Sequence, residues 1–236
     1  MHGTRIGCAG WTIPRDVSAR FDSEGSHLER YARVFNAVEI NSSFYRPHQP
    51  ATYERWAASV PDGFRFAVKL PRTITHDAKL RGIEPLLAQF AGEAGALGPK
   101  LGCVLVQLPP RLDLDAGAAR DLFAALRSHF PCLLACEARH GSWFTEAAST
   151  LLREAGVARV IADPPAGEPG PYVATAETAY IRLHGSPRIY YTSYGPERLA
   201  QVHAYMALQK DAWCIFDNTA SGAATANALD LQQLFR

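Results

Sequence analysis

Seven apolar runs in this chain stop at a charged or amide residue. Ala37-Val38 leads into Glu39-Ile40-Asn41, Phe64 to Val68 into Lys69, and Val104-Leu105-Val106 into Gln107. Leu133 to Cys136 ends at Glu137, Arg139 and His140, and Val160-Ile161-Ala162 ends at Asp163. Ile181-Arg182-Leu183 ends at His184, and Cys214-Ile215-Phe216 at Asp217-Asn218. Short runs that are apolar on both faces suit parallel strands covered on both sides. Parallel strands share one C-terminal rim, so the polar ends would converge there, as in a (β/α) barrel active site.

Helical periodicity and turn residues separate these runs. Strands are expected at Ile6 to Ala9, Val38 to Asn41, Phe64 to Leu70, Leu101 to Leu108, Leu133 to Glu137, Arg159 to Ala162, Thr178 to His184 and Ala212 to Phe216. Helices are expected at His27 to Phe35, Pro50 to Val60, Glu84 to Gly95, Ala116 to His129, Phe144 to Ala155, Glu197 to Leu208 and Ala224 to Phe235. The stretch from Asp163 to Glu177 holds four prolines and two glycines, which exclude a regular helix. The order predicts one (β/α)₈ TIM-type barrel over residues 1–236, with a loop in place of the helix after strand six. An open doubly wound sheet is the alternative, but the G-x-G-x-x-G of its dinucleotide-binding form is missing. The connections Pro71 to Gly82 and Asp163 to Glu177 leave from the rim where functional loops belong.

Composition narrows the class. A chain of 236 residues suits one α/β barrel. With 24 Lys and Arg against 23 Asp and Glu, no bulk charge marks a nucleic-acid or membrane partner. No apolar run approaches the roughly 20 residues of a membrane span. Met1 to Arg5 runs into a strand-like segment without a signal-type apolar core, so a cytoplasmic location is expected. The five cysteines (Cys8, Cys103, Cys132, Cys136 and Cys214) lie in strand-like runs without a C-x-x-C pair, and read as buried thiols.

Residues i and i+2 on a strand share a face. Glu39 pairs with Asn41 in this way, Glu137 with Arg139, and Arg182 with His184. If these face the barrel axis, Lys69 and Gln107 join them, with Asp163 and one of Asp217 or Asn218. Glu39 and Glu137 could divide into acid and base. Lys69, Arg139 and Arg182 suit a substrate carboxylate or phosphate. His184 can carry a proton near neutral pH, and His140 and His76 sit in rim loops. Glu39, Glu137 and His184 are the catalytic candidates. Asn41, Lys69, Gln107, Arg139, His140, Arg182, Asn218, Tyr45 and Trp143 are the substrate-binding candidates. Ion pairs that merely lock a barrel core are the competing explanation for any one pair. Trp11, Phe44, Tyr45, Trp143, Tyr190, Tyr191 and Tyr194 follow strands and could wall a small-molecule pocket. No H-x-H, H-E-x-x-H or Asp-rich loop assigns a metal, and several cations would crowd one, so a divalent metal is not favoured and no cofactor is assigned. Neither Gly-x-Ser-x-Gly nor a phosphate-loop motif occurs.

Several segments together resemble the YecE-like family. They are Ile6-Gly7-Cys8-Ala9-Gly10-Trp11, Val38 to Arg46, Phe64 to Lys69 with Thr75-His76, and Gln107-Leu108-Pro109-Pro110. Glu137-Ala138-Arg139-His140-Gly141-Ser142-Trp143, Arg182 to Gly185, Phe216-Asp217-Asn218 and Asn227-Ala228 complete the set. The resemblance implies a TIM-barrel-like fold and no particular activity. Asp217 stands where the family pattern leads one to expect Asn.

The leading expectation is an enzyme acting on a small polar anion, with Glu39 and Glu137 in acid–base work and His184 carrying a proton. Two other classes remain open: a metal-dependent phosphoesterase acting on nucleic acid, and a non-catalytic ligand-binding or regulatory barrel.

Overall fold

The computed structural model describes residues 3–236; Met1 and His2, part of the N-terminal reading above, lie outside the described residues. Eight parallel strands form one sheet in the order β1-β8-β7-β6-β5-β4-β3-β2. They are β1 (Gly3–Cys8), β2 (Ala37–Ile40), β3 (Arg65–Lys69), β4 (Leu101–Gln107), β5 (Leu133–Glu137), β6 (Val157–Asp163), β7 (Thr178–Leu183) and β8 (Asp211–Phe216). The helices are α1 (His27–Ala32), α2 (Pro50–Ala58), α3 (Glu84–Ala94), α4 (Ala116–His129), α5 (Glu146–Glu154), α6 (Pro196–Ala207) and α7 (Ala223–Gln233). The architecture is the expected TIM-type barrel. Residues 163–177 contain no helix, as their prolines and glycines require.

Element ends differ from the periodicity by a few residues. The α1 pattern overshoots because Phe35 is buried although the helix stops at Ala32. An apolar residue can face the core from the turn after a helix, which periodicity does not register. The α5 helix begins at Glu146 because Thr145 caps it, its hydroxyl accepting from Ala148 N–H.

The barrel nearly closes between β1 and β2, and side chains do most of the closing. One parallel bridge, Ala9 to Glu39, joins the strand ends. Below it, Tyr31 Oη accepts from Cys8 N–H at 2.8 Å and donates to the Ala37 carbonyl at 3.0 Å. Asn36 does the same lower down: Oδ1 accepts from Ile6 N–H at 3.0 Å and Nδ2 donates to the Thr4 carbonyl at 2.8 Å. Buried backbone groups need partners, and here a phenol and an amide supply them. Gly7 makes this seam possible, since a Cβ there would lie 2.0 Å from the Ala37 carbonyl oxygen.

The barrel interior is filled asymmetrically. Ala37, Ala67, Cys103 and Ala135 on β2 to β5 are small, while Tyr180 and Trp213 on β7 and β8 are large. The two large rings stack at 5.8 Å. Small residues on one wall thus leave room for long side chains from the opposite wall, including the one that organises the rim. No helix is long and apolar enough to cross a membrane among the described residues.

Candidate functional site

Strand alternation sets the interior register. Each of Ala37, Ala67, Leu105, Ala135, Tyr180 and Ile215 lies in the interior core two residues before a polar residue at a strand end. Those residues are Glu39, Lys69, Gln107, Glu137, Arg182 and Asp217. His184 follows Arg182 by two more. All seven are buried.

Arg182, without exposed surface, is the hub. Its Nε donates to Glu39 Oε2 at 3.1 Å and one Nη to Glu39 Oε1 at 2.6 Å, a bidentate pair. The same Nη also donates to Asp217 Oδ2 at 3.0 Å, and the other to Glu137 Oε2 at 2.5 Å. One guanidinium therefore holds three carboxylates. Tyr180 Oη also donates to Glu39 Oε2 at 3.0 Å. Arg139 caps Glu137 from above, Nε and one Nη reaching Oε1 at 3.0 and 2.7 Å.

His184 lies between two carboxylates, with Nδ1 3.0 Å from Asp217 Oδ2 and Nε2 3.2 Å from Glu137 Oε1. Nδ1 faces a carboxylate alone, while Nε2 faces Glu137 Oε1 more closely than the Arg182 Nη at 3.5 Å, so the two carboxylates favour the imidazolium against the opposing guanidinium. Burial alone would lower its pKa, but the hydrogen bonds to Asp217 and Glu137 raise it above 6.5. Burial likewise works against Glu137 and Asp217 as anions. Arg182 and His184 overcome it, holding Glu137 well below the usual carboxylate range and Asp217 below its own. Lys69 presents its ammonium to the Phe44 ring at 4.1 Å. Burial, then repulsion from Arg182, lowers it from 10.5 to about 8, against the attraction of Glu39, Asp217 and Glu137. The Ser43 hydroxyl lies between the Ile40 and Lys69 carbonyls, at 2.9 and 2.7 Å, and ties the ends of β2 and β3 together.

The structure brings Glu39, Glu137, Arg139, Arg182 and His184 into direct contact and sets Lys69 and Gln107 in the same buried rim layer. Asn41 is half-buried just past β2. Of Asp217 and Asn218, it is Asp217, standing where the family pattern leads one to expect Asn, that joins the cluster. Asn218 instead donates to the Thr192 carbonyl and Asn227 Oδ1, anchoring the loop after β7. Asp163 does not join the rim cluster: it lies on the outer face and pairs with Arg198 at 2.9 Å. The alternation that places Ala162 inside puts Asp163 outside.

Three other candidates stand apart from the cluster. Tyr45 is 70% exposed, its ring edge against Phe44. Trp143 is fully buried and donates its indole N–H to the Leu112 carbonyl at 3.0 Å. His140 approaches Asp113 at 3.1 Å. The Glu137 to Trp143 motif thus divides: Glu137 and Arg139 face the cluster, while His140, Ser142 and Trp143 hold the loop after β4, Ser142 accepting from Leu114 N–H. His76 packs on Phe44 at 4.9 Å. Tyr180 was missed in sequence; its place two residues before Arg182 was the available signal. Tyr190, edge-on to His184 at 6.0 Å, has a φ of 71°, rare for a residue with a side chain.

Among the described residues no three His, Cys, Asp or Glu side chains are arranged to hold a metal ion. The carboxylate oxygens turn to Arg182 instead. Burial pushes the thiols of Cys8 and Cys136 up to about 12 and that of Cys132 to about 11.

The fold and the charged rim define a single (β/α)₈ barrel with one guanidinium clamped by three carboxylates. The chain belongs to the family described as "Protein of unknown function DUF72", which matches residues 5–236. It is 35% identical over 167 residues to UPF0759 protein YecE of Escherichia coli K12, covering 67% of this chain and 58% of that protein's length. It is 26% identical to UPF0759 protein YunF of Bacillus subtilis, covering 97% of this chain and 93% of that one. Crystal structures of DUF72 proteins share the fold. One from Enterococcus faecalis gives a TM-score of 0.82 at 20% identity, covering 98% of this chain and 94% of that one. One from Thermotoga maritima gives 0.73 at 24% identity, covering 99% of each.

Proposed function

We propose that this barrel is an enzyme performing acid–base chemistry on a small polar anion at its C-terminal rim. The observation that carries the reading is His184, which has a carboxylate on each ring nitrogen and a pKa raised above 6.5. Both N–H groups of that imidazolium are taken by Asp217 and Glu137, so His184 exchanges its proton with a substrate by way of Glu137, its neighbour at 3.2 Å, and the proton returns along the same path. Glu39 and Asp217 are positioning groups through Arg182 and His184. Arg182 itself is occupied by three carboxylates, so anion binding falls to other cations. The Lys69 ammonium has no hydrogen-bond acceptor among the described residues, and one Nη of Arg139 is not engaged by Glu137. These two offer donors to a substrate carboxylate or phosphate.

The test is a screen of small anions against wild type and His184→Gln, reading thermal shift and chemical conversion together. A compound that stabilises both proteins but is converted only by wild type supports the reading. A ligand recovered unchanged from wild type would make this a binding barrel instead.

A further inference from the structure

Tyr190, in the loop after β7, has a left-handed backbone with a φ of 71°. Glycine adopts that conformation freely and a bulky residue rarely does. Hydrogen bonds hold Tyr190 there from both sides. Its N–H donates to the His184 carbonyl at 2.5 Å, and its carbonyl accepts from Ala220 N–H at 3.0 Å. The next two residues are fastened as well. The Ser221 hydroxyl donates to the Tyr191 carbonyl at 2.6 Å, and Asn218 Nδ2 to the Thr192 carbonyl at 3.0 Å. A loop tied in this way fixes the direction in which the Tyr190 side chain leaves the backbone. Strained residues that their surroundings overdetermine cluster at functional sites.

The side chain is aimed at the charged cluster. Its ring stands edge-on to His184 at 6.0 Å. Tyr190 is 41% exposed and so reachable from solvent, whereas His184 and Glu137 are buried. Its hydroxyl has no hydrogen-bond partner among the described residues. Burial opposes the charge of Arg139, while Glu137 and then Tyr190 favour it, which puts the phenol within electrostatic reach of the guanidinium. Arg139 also keeps part of its side chain in solvent, and one Nη is left over from Glu137. A turn that needed only a positive φ would be served by glycine. A cover for His184 would be served by phenylalanine. Neither role uses the hydroxyl.

We propose that Tyr190 is a substrate-contacting residue of the rim: its hydroxyl and the free Nη of Arg139 donate to two oxygens of one carboxylate or phosphate, holding it beside the His184–Glu137 pair. The inference rests on the anion reading of the cluster and adds the residue that seats the anion.

Calorimetric titration of wild type, Tyr190→Phe, Tyr190→Gly and Lys69→Met with malonate and with inorganic phosphate tests it, together with thermal melts of these proteins and of Tyr190→Ala. Wild type should bind at least one of the two anions, and their comparison tells a carboxylate site from a phosphate site. Tyr190→Phe keeps the ring and should weaken the bound anion about 3- to 10-fold, the worth of one hydrogen bond at a partly exposed site, with Tm unchanged. Tyr190→Gly should weaken it at least as much. It should also melt above Tyr190→Ala, the reverse of their usual order, because a left-handed position favours glycine. Unchanged affinity in Tyr190→Phe, or Tyr190→Ala melting at or above Tyr190→Gly, overturns the proposal. If Lys69→Met weakens the anion while Tyr190→Phe does not, Tyr190 merely covers His184 and the anion reading stands. If wild type binds neither anion, the anion reading falls and this contact falls with it.

Discussion

The buried ammonium of Lys69 should cost this protein stability, and replacing it with methionine should return some. Its pKa falls from an ordinary 10.5 to about 8, chiefly through burial and then through Arg182. At about 1.4 kcal/mol per pKa unit, the folded state bears a penalty of about 3 kcal/mol at pH 7, where lysine is protonated in both states. Lys69→Met removes the charge and keeps most of the stem. It also loses the cation–π contact with Phe44 at 4.1 Å, worth about 1 kcal/mol. The net gain is about 2 kcal/mol, or a rise in Tm of about 4–8 °C for a chain of this size. The sign of the pH dependence is fixed. A group whose folded pKa is depressed contributes stability above its unfolded pKa and loses it as pH falls through the folded value. Wild type should therefore gain on the variant between pH 8 and 10.5, and the difference in urea midpoints should shrink across that window. A variant no more stable than wild type at pH 7, or a difference constant to pH 10.5, would refute the reasoning.

Three further outcomes follow from the same geometry. The His184 ring should titrate above 6.5 by NMR, and Asp217→Asn should lower that value by removing one of its two anionic partners. The raised His184 pKa adds stability that is complete below 6.5 and lost as pH rises through its folded value, while the lowered Glu137 and Asp217 values add stability lost in acid. Arg182→Met should cost about 3–5 kcal/mol in urea unfolding at pH 7, because three buried carboxylates lose their shared partner. Acid should reduce that deficit as the carboxyls protonate. Tyr31→Phe should cost about 1–3 kcal/mol, since Cys8 N–H and the Ala37 carbonyl both lose their partner at the β1–β2 seam.

The barrel and most of its charged rim were legible because parallel strands impose a period of two and a common direction. Knowing that Ala37 faces the axis also places Glu39, and Tyr180 places Arg182 and His184. The rule needs an anchor in each strand. Asp163, Asp217 and Asn218 all end apolar runs, and only with Ala162 and Ile215 known to face the axis does alternation turn Asp217 inward and Asp163 outward. Loop side chains follow no period at all. Trp143 reads in sequence as a pocket wall and is in fact a fully buried anchor whose indole N–H meets the Leu112 carbonyl. The closure of β1 on β2 was equally invisible, because Tyr31 and Asn36 act on a strand pair distant from them in sequence.

Charge balance gives the cluster a preference that no single contact expresses. Glu39, Glu137 and Asp217 face Arg182, Arg139, Lys69 and, when protonated, His184. Three anions against four cations leave one positive charge in excess in a rim layer where all but Arg139 are buried. An added anion neutralises that excess; an added cation would double it. The preference should fade when Lys69 loses its proton near pH 8. Linkage of one proton to one anion limits the decline above that pH to about tenfold in affinity per unit. Malonate titrations from pH 6 to 10 would show such a decline in wild type and a flatter profile in Lys69→Met. Affinity unchanged across pH 8 in wild type would mean that Lys69 is not the cation that receives the anion.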